Sequence, residues 1–146
     1  MITVTNLLTQ ITNFNLMAQT EDSNAEAWCK ACIVGLDGSI WTTEKHPNAL
    51  KINVFEASNI ARCFRDKDFT PFETEGSVFV EGSRHIYVRE LDGKFVWARG
   101  ARCCIFLHAS KTAIVITSWP KHSSANVFHI EKGVDIIVKH LESQNM

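Results

Sequence analysis

Cys29 and Cys32, in the stretch "AWCKACIVGLDGSIW", have the spacing of a redox dithiol. A Cys-x-x-Cys pair cycles between dithiol and disulfide when its first sulfur is a stabilised thiolate. That requires a helix N-terminus, where the dipole and unpaired N–H groups lower the thiol pKa. Here Cys32 runs into "IVGLDGSIW", two apolar runs around Asp37-Gly38, which is a hairpin pattern. In an extended chain, residues three apart point to opposite faces. Their Cα atoms lie about 10 Å apart, beyond the roughly 7 Å that a disulfide bridges. A zinc site combining these two with Cys103, Cys104 or a histidine fares no better. Adjacent cysteines diverge on a strand, there is no second Cys-x-x-Cys, and tetrahedral ligands must converge. The cysteines therefore read as small hydrophobes in or beside a core. His108 reads as a half-exposed strand histidine. Glu73, Glu75, Glu81 and Glu90 have no spacing specific to acid–base work and read as solvated carboxylates. No nucleophile elbow, P-loop or dinucleotide-binding glycine pattern occurs, so no catalytic residue, metal or cofactor is expected.

The elements that would position such residues follow from the rest of the chain. Its 146 residues suit one domain, and 45% hydrophobic with 21% charged residues suits an ordinary packed core. A net charge of −1 argues against bulk attraction to nucleic acid. There is no run of 18 apolar residues, and "MITVTNLLTQITNF" lacks the basic flank of a signal peptide. Five cysteines, an odd number, fit reduced thiols in a cytoplasm, and a monomer is expected.

Val4, Leu7, Leu8 and Ile11 predict an amphipathic N-terminal helix, and "QTEDSNAEA" a loop. "NVFEASNIARCF" predicts a helix capped by Asn53, with Glu56 completing a capping box. "RDKDFTPFETEG" reads as a connection. From Ser77 onward, short β-rich runs separated by Gly82, Asp92-Gly93, Gly100 and Ser110-Lys111 predict an antiparallel meander. Val127, Ile130, Val134, Ile137, Val138 and Leu141 stripe a last helix, with Ser123, Ser124 or Asn126 available as N-cap. This order predicts a single α+β domain, 1–146, with helices packed on a sheet. Residues 1–26 supply the first helix and an extended loop, and 27–146 the remainder.

These motifs together resemble the profilin family. "ACIVGLDGSIW" is similar to the first profilin hairpin, "FETEGSVFVEGSRHIYVREL" to the strands around its central turn, and "ARGARCCIFLHASKTAIVITSW" to the basic loop with the next two strands. "EKGVDIIVKHL" is similar to the C-terminal helix. The resemblance spans roughly Ala27 to Leu141. It implies an antiparallel sheet with the N- and C-terminal helices packed on one face and shorter helices on the other. It also implies a non-enzymatic protein of the cytoplasm and cytoskeleton that binds monomeric actin and regulates its polymerisation. Profilins grip actin through the third helix, the meander strands and the start of the last helix, bind phosphoinositides nearby, and hold proline-rich segments between the terminal helices.

Carried over residue by residue, the actin-facing set is Arg84, Tyr87, Arg89, Arg99, Arg102, Val127, Phe128, Glu131 and Lys132. Arginine and aromatic anchors suit an interface, since they combine area with directional hydrogen bonds. The phosphoinositide set is Arg84, Arg89, Lys94, Arg99 and Arg102, whose guanidinium forks suit phosphate. The register of the Asp92-Gly93 turn leaves open which face carries Trp97, because a one-residue slip swaps faces. The proline-binding groove departs from the family pattern. Trp41 is present, but Leu7 and its helical neighbours supply no aromatic, and Ile136 replaces the late aromatic. Aromatic faces are what proline helices stack on, so weak or altered polyproline binding is expected. "ARGARCC" also has cysteines where glycines are usual, and the segment before the hairpin is long. These mark a divergent member, such as an early-branching eukaryote or an actin-bearing archaeon would carry. The readings set against this one are a thiol–disulfide protein using Cys29 and Cys32, and a longin- or roadblock-like scaffold domain.

Overall fold

A computed structural model describes residues 30–42, 49–120 and 127–146, apart from the side chains of 127–133. The predicted N-terminal helix with Leu7, Cys29 and the proposed caps Ser123, Ser124 and Asn126 lie outside the described residues. Within them, six strands form one antiparallel sheet: β1 (Lys30–Gly35), β2 (Ser77–Val80), β3 (Ser83–Leu91), β4 (Phe95–Gly100), β5 (Cys103–Ala109) and β6 (Ala113–Pro120). The spatial order is β1-β6-β5-β4-β3-β2. β2 to β6 are thus the predicted meander, and β1 is added beyond its last strand, with Lys30 opposite Ser118 and Gly35 opposite Ala113.

The expected hairpin is only half formed. The turn is there: the Gly35 N–H donates to the Ser39 carbonyl at 2.7 Å, and Val34 bridges Ile40. The Trp41 N–H also donates to the Ile33 carbonyl at 2.8 Å, and there the ladder of the return arm ends. The Ser39 hydroxyl instead donates to Asp37 Oδ1 at 2.5 Å and accepts from the Trp41 indole at 3.0 Å. A Cβ on Gly35 would lie 2.5 Å from Asp37 Oδ1 and 2.7 Å from Trp41 Nε1, so this close knot needs glycine.

Alternation along the strands sorts the core into two layers. One face carries Cys32, Val34, Val78, Val80, Val96, Ala98, Ile105, Leu107, Ile114 and Ile116 against α1 (Val54–Asp66) and α2 (Thr70–Glu75). The other carries Ala31, Ile33, Cys104, Phe106, Val115 and Trp119 against α3 (Val127–Ser143), through Val134, Ile137, Val138 and Leu141. The last four follow the i, i+3, i+4, i+7 spacing of a buried helical stripe. α2 occupies what the sequence suggests is a connection. It has Pro71 in its first turn and ends at Gly76, φ +67°. Its six residues are too few to give a periodic signal.

The predicted capping box is present at α1. The Glu56 backbone N–H donates to Asn53 Oδ1 at 2.8 Å, and the Asn53 N–H donates to Glu56 Oε1 at 3.1 Å. Glu56 also reaches across to the β2–β3 turn, accepting from the Glu81 N–H at 3.0 Å and the Gly82 N–H at 2.8 Å. That turn places Glu81 (φ +54°) and Gly82 (φ +74°) both in the left-handed region, as a two-residue hairpin loop with native twist demands. Glu81 is not the solvated carboxylate expected. Its oxygens accept from Lys30 Nζ at 3.3 Å and the Lys51 N–H at 2.9 Å. β1 and β2 are the two outermost strands, so this contact curls the sheet until its edges meet at one end.

Candidate protein-interaction face

α3 contacts β5 and β6. The half of that same face formed by β2, β3 and β4 is left without a helix over it among the described residues. The sheet register decides what it displays. Arg84 pairs with Phe79, which alternates with the buried Val78 and Val80 and so points the other way. Ile86 pairs with Arg99, which pairs with Cys104 of the α3 layer. Arg84, Phe79, Ile86 and Arg99 therefore share this open face. Phe79 is 46% and Ile86 62% exposed. Exposed apolar side chains among arginines are the composition of a binding patch. Sequence reasoning missed Phe79 and Ile86, although Ile86 lies two residues from Arg84 on a strand and must share its face.

The register left open by the sequence is resolved by a three-residue loop. Leu91 pairs with Phe95, Glu90 with Val96 and Arg89 with Trp97. A bulge then falls between Tyr87 and Arg89, because Tyr87 pairs with Ala98. The extra residue, Val88, flips the alternation. Arg89 and Trp97 thus lie on the α3 face with the other arginines. Tyr87 lies on the opposite face, its ring 6.2 Å from that of Phe72 in α2. Burial, and secondarily Glu73 and Glu90, raise its phenol pKa. Tyr87 is therefore separated from the arginines it was grouped with.

Lys94 is also set apart. It ends the β3–β4 loop, whereas Arg99 lies near the far end of β4, five residues or roughly 17 Å away, and Arg102 lies just beyond it. Arg102, in the β4–β5 turn, lines a cleft with Arg84, Lys30, Ser83 and Ser118 where the sheet edges meet. α3 begins toward this end, since its C-terminal end is tied to the opposite one: the Met146 carbonyl accepts from the Thr112 hydroxyl and the Ser110 hydroxyl, both at 2.9 Å. Its first turns, with Val127, Phe128, Glu131 and Lys132, thus lie at the Arg99–Arg102 end.

For the proline groove, Trp41 is partly buried against the α3 layer, and Ile136 is 51% exposed, off the buried stripe. Among the described residues, Cys32, Cys63 and Cys104 are buried, as the sequence predicts, and Cys103 is partly buried. Cys32 is fully buried on the α1 face, where burial, and then Glu81 and Glu56, hold its thiol protonated far above the ordinary range. Cys63 is pushed up to about 11 by burial. A thiolate at Cys32, which redox exchange would require, is strongly disfavoured.

His85 is 5% exposed beside Arg84, and its Nδ1 has no hydrogen-bond partner. Burial lowers its pKa and that of His108, which lies edge-on to Phe95. Both are held neutral in the fold, while the unfolded chain binds protons from about pH 6.5 downward. Stability is thus complete above that pH and is lost as pH falls toward the depressed folded values. The denaturant midpoint should be lower at pH 5.5 than at pH 7.5, and His85→Asn should narrow the difference.

The Profilin family model matches residues 9–146. A profilin of Heliocidaris crassispina is 45% identical over 135 residues, spanning 90% of this chain and 94% of its own. One of Suberites domuncula is 42% identical over 135 residues, with the same coverage. Among solved structures, Acanthamoeba castellanii profilin II is similar at a TM-score of 0.68 and 18% identity, covering 94% of this chain and 98% of its own. Mouse profilin IIa, solved in complex with a double repeat from the FH1 domain of mDia1, is similar at 0.58 and 14% identity, covering 92% and 97%.

Proposed function

Because this chain belongs to the profilin family of non-enzymatic, actin-binding regulators of actin polymerisation, we propose that it holds monomeric actin on the open half of the α3 face. One observation carries this reading. Arg84, Arg89 and Arg99 lie there with exposed Phe79 and Ile86, on a stretch of that face without a helix over it among the described residues. Arg102 and the first turns of α3, with Val127, Phe128, Glu131 and Lys132, extend the patch at one end. The protein would act in the cytoplasm, where monomeric actin is.

The same arginines suit phosphoinositide headgroups. Arg84 and Arg102, lining one cleft with Lys30, are the best placed to grip phosphate bidentately. Lys94 is too distant to join them. Lipid and actin would then compete for overlapping residues. Proline-rich segments, as in the FH1 complex of the mouse relative, would bind weakly here, with Trp41 as the aromatic contact and Leu7 and Ile136 as aliphatic ones.

A fluorescence titration with monomeric actin tests the reading, run alone, with a polyproline peptide, and with vesicles containing phosphoinositide. Saturable actin binding, lowered by phosphoinositide vesicles but not by neutral ones, is expected. Polyproline should leave the actin curve unchanged and bind only weakly. No actin binding would overturn the assignment, and equal lipid binding with and without saturating actin would separate the lipid site from it.

A further inference from the structure

Resting on that reading of the arginine face, we propose that Trp97 is a positioning residue that holds the Arg89 guanidinium ready for its partner. Two features point to it. The bulge at Val88 brings Arg89 onto the α3 face directly opposite Trp97. Without that extra residue, Arg89 would follow the alternation of Tyr87 and face α2. The Arg89 Cζ then lies 5.7 Å from the centre of the Trp97 ring, within cation–π range.

The tryptophan is itself well supported. Its ring packs 5.7 Å from Phe106, and Phe106 packs 4.7 Å from both Phe95 and Trp119. The last of these rings is buried in the layer under α3. The platform is therefore tied to the core, while Arg89 remains exposed. No carboxylate pairs with Arg89 among the described residues. Stacking covers one face of the guanidinium and leaves its N–H edge open, the edge that takes a partner carboxylate in a bidentate bond. An arginine already ordered in this way loses less side-chain entropy when it binds.

The test uses two readouts. In the actin-free protein, the Arg89 side-chain protons should be shifted upfield by the Trp97 ring current, and Trp97→Leu should abolish the shift. In actin titrations, Trp97→Leu should weaken binding by about two- to fivefold, and Trp97→Tyr should restore most of it. In an Arg89→Ala background, Trp97→Leu should change nothing further. Unshifted Arg89 protons in the wild-type protein would overturn the proposal, as would an equal loss from Trp97→Leu with and without Arg89. Shifted protons in a chain that binds no actin would sink the functional reading, and the positioning role with it, while leaving the stack intact.

Discussion

Replacing Glu56 by alanine should lower the unfolding free energy by about 3 kcal/mol, a large effect for one residue on the outer turn of a helix. The carboxylate is 7% exposed and accepts three backbone N–H bonds, from Asn53, Glu81 and Gly82. Hydrogen bonds to a charged acceptor contribute roughly 1.5–3 kcal/mol each, and an orphaned donor loses its desolvation penalty in full unless water reaches it. The donor residues around it, Asn53, Glu81 and Gly82, are themselves partly or fully exposed, so water should recover part of the three-bond total. Glu56→Gln keeps an acceptor for two of the donors but sets an amide N–H₂ against the third, so its loss should be about half as large. Urea unfolding monitored by circular dichroism reads both. A loss below about 0.5 kcal/mol for the alanine variant would mean that the turn finds other acceptors. The effect should also be local. Hydrogen exchange at Glu81 and Gly82 should accelerate more than at Ile105, because a turn with a non-glycine residue at φ +54° has lost its external brace.

Reversing charge at Arg89 and Arg99 together should weaken actin binding about 100-fold while leaving the fold intact. Both side chains are exposed on the open face, so neither is needed for packing. Arginine is enriched among the few interface residues whose truncation costs about 2 kcal/mol or more. Charge reversal adds like-charge repulsion against the acidic groups that such an arginine face would meet on its partner, and about 2.7 kcal/mol corresponds to a hundredfold change in Kd. Fluorescence titration of monomeric actin measures this, with thermal unfolding as the folding control. The wild-type association rate should fall with added salt, and the doubly reversed variant should lack that dependence. An affinity unchanged by the double reversal would mean that actin is held elsewhere.

What the sequence makes legible is what local chemistry decides. Asn53-x-x-Glu56 is a capping box in the sequence and in the fold, because both partners lie within one helical turn. The meander is legible from its turn residues. The second role of Glu56 is not, because Glu81 and Gly82 meet it only after β2 has been laid down. The β3–β4 register is hidden for a different reason. Asp92 (φ +55°) and Gly93 (φ +66°) both take the left-handed conformation, but Lys94 joins the loop. No residue near Val88 announces a bulge, so the faces of Tyr87 and Arg89 cannot be sorted by counting twos. The basic residues are visible as a set in the sequence. Which of them converge follows from that bulge, which joins Arg89 to Arg84 and Arg99, and from the length of β4, which removes Lys94.

The placement of β1 beside β6 bears on how this molecule is made. Lys30 is matched with Ser118, so the strand that leaves the ribosome first among the six cannot join the meander until the one that leaves last has emerged. Until then the side of β1 that will face β6 stays unpaired, although its other side can already bridge Ile40 and Ala49. Pairings between such distant parts of a chain form slowly, and an unpaired edge of this kind is open to capture by another strand. The meander can assemble during synthesis, but the curled sheet closes only afterwards. Folding in the cell is thus a race between that late closure and the association of waiting chains.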